Sequence, residues 1–185
     1  MSTATNTLIP AGTWNIDASH SSIEFRVKHL GIATVKGQFR DFSGALVVGD
    51  APEATSVTGT IEAASIDTRE SDRDTHLRSP DFFDAEHHPQ VTFTSTAFRP
   101  IDDETFEIDG DLTVRGVTKP VRLTGEVQGG EVDPWGNQRI GLELTGQISR
   151  GDYGMTFNQV LGSGNLLVGD KVKLELNLST VKVSD

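Results

Sequence analysis

Lys171-Val172-Lys173-Leu174-Glu175-Leu176-Asn177-Leu178-Ser179-Thr180-Val181 alternates apolar and polar residues without a break. In an extended chain, side chains at i and i+2 share a face, so this run is a strand with one apolar and one solvated face. The same two-residue period recurs near Ile23–Val27, Val35–Phe39, Val57–Ala63, Val91–Ala97, Phe106–Val114, Val121–Val127 and Ile140–Ile148. Gly59, Gly110, Gly125 and Gly146 fall in the apolar phase of these runs. A solid core wants bulk at such positions, so glycine there suggests space inside. The strand pattern predicts an all-β chain with eight substantial strands. Eight antiparallel strands close into a barrel able to hold one small ligand. A two-sheet sandwich is the alternative; the inward glycines favour the barrel.

Composition sets the outer bounds. The chain has 185 residues, a length typical of one domain. Residues 1–12 are polar and read as a flexible N-terminal arm, and 13–185 as the barrel domain. The formal net charge is −11 and there is no cysteine. No basic stripe is visible, which argues against nucleic-acid binding. The acidic balance argues against docking on anionic membranes. Without cysteine, disulfides and thiol chemistry are absent. No segment reaches the roughly 18–20 apolar residues of a membrane-spanning helix, so stable membrane insertion is not expected. Met1–Gly12 has neither a basic n-region nor an apolar h-region, and the expected location is cytoplasmic.

The period fails between Thr68 and Glu86. A short helix is predicted around Asp72–Arg78, stopped before Pro80, within a helical segment near 72–84. Leu77, Phe82 and Phe83 are its apolar members and would pin it over the barrel mouth. Gly44 is expected to mark a bend in the second strand. Arg150 and Asp152 flank Gly151 and read as an ion pair at a strand end. His87-His88 invites a metal reading, but adjacent histidines lack usual ligand spacing, and no metal or cofactor is expected. No nucleophile elbow, zincin pattern or phosphate loop appears.

Several strings in order carry a resemblance. They are Trp14-Asn15-Ile16-Asp17 with Ser19-His20-Ser21, then Phe25-Arg26-Val27-Lys28-His29-Leu30-Gly31 and Val35-Lys36-Gly37-Gln38-Phe39. Arg73-Asp74-Thr75-His76-Leu77 runs into Ser79-Pro80-Asp81-Phe82-Phe83-Asp84, followed by His88-Pro89 and Thr92-Phe93-Thr94-Ser95-Thr96. Gly110 to Val121 and Ser149-Arg150-Gly151-Asp152-Tyr153-Gly154-Met155 complete the set. Together they resemble the YceI-like family over about Thr13 to Leu178. That resemblance implies a lipocalin-like eight-stranded barrel with an elongated apolar cavity. It also implies binding of a long isoprenoid or fatty-acyl lipid, for carriage or storage, and makes a homodimer plausible. Many members of that family carry a leader to the periplasm, a pattern that residues 1–12 do not show.

The physical reading agrees: burial contributes about 0.8 kcal/mol per CH₂, so an apolar tunnel suffices to hold such a chain without catalysis. Candidate tail contacts are Ile23, Phe25, Val27, Phe39, Val57, Ile61, Val91, Phe93, Leu112, Val114, Leu123, Leu144 and Ile148. Phe157, Val160 and Leu161 are candidates to cover one end. Candidate head-group contacts are His20, Arg69, Arg73 and His76, because guanidinium suits phosphate or carboxylate. Equally, His20 would cap the barrel, and the arginines would pair locally with Glu70, Asp72, Asp74 and Asp81. A small hydrolase or isomerase acting on a lipid-like substrate is the alternative function, since triads assemble from distant positions.

Overall fold

The computed structural model describes residues 8–164 and 166–184. Residues 1–7 of the expected arm lie outside the described residues. The strands are β1 (Gly12–Ile16), β2 (Ser22–His29), β3 (Ala33–Phe39), β4 (Phe42–Val48), β5 (Ser56–Glu62), β6 (Ile66–Asp67), β7 (Gln90–Pro100), β8 (Thr105–Val114), β9 (Val117–Val132), β10 (Gln138–Ser149) and β11 (Val168–Lys182). One helix, α1 (Ser71–Arg78), interrupts them between β6 and β7. Every ladder is antiparallel. β1, β4, β5, β7, β8, β9, β10 and β11 form a ring that β1 closes by pairing with β11. The fold is therefore an eight-stranded antiparallel barrel. Closure leaves no free edge along this ring.

Three extended stretches, 12–29, 33–48 and 56–67, break partway. A 3₁₀ turn at Ala18–His20 separates β1 from β2, and another at Ala63–Ser65 separates β5 from β6. The break between β3 and β4 falls at Arg40-Asp41, not at Gly44. Neighbouring breaks hold one another, with Arg40 N–H donating to Ser65 O (3.1 Å) and Glu62 N–H to Asp41 O (2.9 Å). Gly44 lies within β4 and is paired with Gly59; a Cβ there would stand 2.7 Å from Thr58 O, which is why the position is glycine. Beyond the breaks, β2 and β3 continue as an extension, and β3 meets β6 over only two residue pairs. Among the described residues no ladder joins β6 to β7. That gap is where α1 and the turns of 79–89 sit.

α1 forms for local reasons. Glu70 caps it by accepting from the N–H of Asp72 and Arg73, with Asp72 and Asp74 in the first turn and His76 and Arg78 in the last. Its only large apolar member is Leu77, so little of its own surface glues it down. Buried Asp74 instead accepts from Thr68 N–H (2.8 Å) and Thr68 Oγ1 (2.5 Å).

The closed end of the barrel is packed solid. Trp14 and Ile9 are each 1% exposed there, beside Leu46, Ile108 and Leu142. Phe98 stacks on Phe106 at 5.1 Å. Trp14 Nε1 donates to Pro10 O (2.9 Å), so the chain from Leu8 onward is docked, contrary to the loose arm expected through Gly12. A buried apolar anchor at Ile9, three residues before β1, explains the difference.

Candidate functional site

Between the packed floor and α1 lies a cavity of about 380 Å³. This falls within the range of small-molecule sites. Its wall follows from register. Ile23, Phe25 and Val27 of β2 stand opposite Leu176, Leu174 and Val172 of β11. The same β2 residues face Phe39, Gly37 and Val35 of β3. These inward side chains on β2 and β11 are only half-buried, whereas Leu144 and Ile108 towards the floor are 3% and 2% exposed. Apolar side chains that point inward and yet remain accessible mark space that the protein does not fill.

Each tail-contact candidate from Ile23 to Ile148 lines this cavity, as does Phe157. Val160 and Leu161 do not; Val160 is 69% exposed on a loop. Leu77, Phe82 and Phe83 line the α1 side. Phe82 and Phe157 lie tilted at 5.4 Å, and the His76 ring meets both edge-on, at 5.1 and 4.8 Å.

The inward glycines behave differently from expectation. A Cβ on Gly110 would fall 2.3 Å from the Phe93 ring, and one on Gly125 the same distance from the Phe106 ring. On Gly146 it would meet Leu123 at 2.7 Å. These three glycines make room for neighbouring side chains, not for a ligand. Only Gly59 opens freely inward, with Ser43 O at 3.7 Å as the sole atom near its Cβ position.

The polar groups divide in two. Arg73 and His76 reach the cavity wall from α1. Arg73 donates to Thr68 Oγ1 (2.7 Å) and Thr68 O (2.6 Å), and His76 Nε2 pairs with Asp81 (2.8 Å). His20 and Arg69 are not on the wall. His20 Nδ1 pairs with Asp17 (2.9 Å) at the β1–β2 break, where its side chain is 69% exposed. Arg69 has φ 67° and uses its N–H on Asp67 Oδ1. His20 belongs to the β1–β2 break, and Arg69 to the left-handed turn between β6 and α1. His87 pairs with Asp84, which pushes its imidazole pKa upward, and among the described residues no cluster of three ligand-type side chains could hold a metal.

Arg150 is the wall residue whose role the sequence reading missed. It does not pair with Asp152. Its guanidinium donates to Gly169 O (2.7 Å), Met155 O (2.6 Å) and Val168 O (3.2 Å), and sits 6.0 Å above the Phe82 ring centre. It is 5% exposed, and burial lowers its pKa from the usual value. The strand period held the clue: Leu144, Gly146, Ile148 and Arg150 share one phase. Nearby Tyr153, 2% exposed, has its hydroxyl pushed up to about 12 by burial.

Residues 14–180 match the family model described as the YceI-like domain. The chain belongs to the YceI-like family. Protein YceI of Escherichia coli O157:H7 is 42% identical over 146 residues, covering 77% of this chain and 76% of that protein. The YceI protein of Campylobacter jejuni superposes with a TM-score of 0.72 at 32% identity, over 85% of this chain and 90% of that one. A polyisoprenoid-binding domain from Saccharophagus degradans shares the fold at 15% identity, with a TM-score of 0.72 over 92% of this YceI-like chain and 98% of that domain.

Proposed function

We propose that this YceI-like chain reversibly sequesters a long apolar lipid, of polyisoprenoid or fatty-acyl type, for carriage or storage. The observation that carries this is the accessible inward apolar face of β2 and β11. A lipid tail laid against it would remove that surface from water at about 0.8 kcal/mol per CH₂ before association costs. The Saccharophagus domain, described as polyisoprenoid-binding, lends support through its shared fold. The head group would lie at the α1 side, near Arg73 and His76, the two head-group candidates on the wall. No covalent step is needed. The two arginines on the wall are tied to Thr68 and to the carbonyls of 155, 168 and 169, which suits holding the site's shape.

Uptake of a polyprenol and of a long-chain fatty acid by delipidated protein tests this reading. Saturable uptake that Gly59→Leu reduces supports it. Uptake unchanged by Gly59→Leu in a folded protein would place the lipid elsewhere.

A further inference from the structure

Four of the six lysines of this acidic chain stand together beside the cavity mouth. They lie on the outer face of β11, β2 and β3. Lys173, Arg26 and Lys36 are direct cross-strand neighbours in one row. Lys171 and Lys28 stand one step closer to the strand tips, in phase with that row. Like charges placed opposite one another destabilise a sheet. Among the described residues only Arg26 of this patch has an acidic partner, Glu175 at 3.0 Å, while Lys28 and Lys171 contact the hydroxyls of Thr34 and Ser149. Glu24 and Glu175 lie further from the tips, and Asp170 accepts from Gly151 N–H.

The tips beyond these cations are uncharged. Residues 30–35 and 156–169 contain no Asp, Glu, Lys or Arg, in a chain that is 23% charged. Ile32 is 80% exposed on the β2–β3 turn, and Val160 and Leu166, bridged across their own hairpin, are 69% and 44% exposed. The two tips are joined by Leu30 N–H donating to Leu167 O at 3.0 Å. Just behind them, His29, Leu167 and Val168 line the cavity.

We propose that these two hairpin tips dock the protein on an anionic lipid surface, with the tips in the interface and the lysine rows over the head groups. Apolar tips with a basic skirt fit a bilayer, where each Lys or Arg near an anionic surface adds to binding. The site would place the mouth against the source or destination of the lipid, and in that respect rests on the proposed function. On the α1 side of the mouth, residues 69–86 carry six carboxylates against the three arginines Arg69, Arg73 and Arg78, a net negative balance, so the β2–β3 side is the one turned to the membrane. The net charge, read alone, argues against such docking. It conceals the patch because residues 26–36 and 171–173 are distant in sequence.

Flotation with vesicles tests it, using phosphatidylcholine alone and phosphatidylcholine with about one third phosphatidylglycerol. The protein should float with the anionic vesicles, and less so as salt rises. Lys36→Gln with Lys173→Gln should weaken partitioning roughly 25-fold, at about fivefold per lysine. Ile32→Ser with Val160→Ser should weaken it by roughly tenfold or more. Equal flotation of wild type and either variant, or none by wild type, overturns the proposal. So does self-association abolished by Ile32→Ser without vesicle binding, which would assign the face to a second copy. Lipid extracted from the same preparations separates the claims. Cargo without flotation overturns docking alone, and flotation by a protein that never takes up lipid overturns the cavity reading.

Discussion

Gly59 and Gly125 share the inward phase but have opposite surroundings. Gly125 lies opposite Phe106, whose ring crosses the glycine and fills the space its missing Cβ leaves. Gly125→Ala should therefore cost about 1–3 kcal/mol through overpacking, read as a lower denaturation midpoint. Gly59→Leu should leave the midpoint near wild type and reduce lipid capacity. The sequence placed both glycines inward, but not the ring over one of them, because strand register is invisible to a two-residue period. Arg150 tells a similar story: its phase was legible and its partners were not. Arg150→Gln strands carbonyls of 155, 168 and 169, and should destabilise by about 3 kcal/mol in chemical denaturation.

At the scale of elements, α1 was legible because the strand period stops there and Pro80 ends the segment. The strand breaks were not, since Arg40-Asp41 bends where neighbouring strands bend with it. α1 is held by its own polar groups: buried Asp74 accepts from Thr68, and the His76 ring sits edge-on against Phe82 and Phe157. Phe82→Ala should cost about 3 kcal/mol and speed lipid exchange, measurable as faster transfer to acceptor vesicles. At the other end of the barrel Arg139 ties elements together, pairing with Asp17 at 2.8 Å and Asp133 at 2.7 Å. Arg139 holds the Asp133 carboxyl down at about 2, from 3.8, and Asp17 well below the usual carboxylate range. A carboxyl with a depressed folded pKa takes up its proton in the unfolded chain first as pH falls. Its contribution is therefore complete above about 3.8 and is lost towards about 2. Thermal melts across that window should fall steeply for wild type. Arg139→Gln should start lower at neutral pH and fall less.

For the whole molecule, the eight strands were legible from alternation, but closure over a sandwich rested on inward glycines, three of which prove to be filled by neighbouring side chains. The position of the cavity was only partly legible: the inward phase names its strands, while Phe82, Phe83 and Met155 reach it from segments with no period. Bound lipid would fill that cavity in the folded state alone, so delipidated protein should melt at a lower temperature and recover on adding the lipid back. Native mass spectrometry of the purified protein, followed by organic extraction and identification of what is released, tests the central claim most directly. The account predicts a stoichiometric isoprenoid or long-chain acyl lipid, or its uptake when offered. A protein that is empty and takes up neither lipid would contradict it.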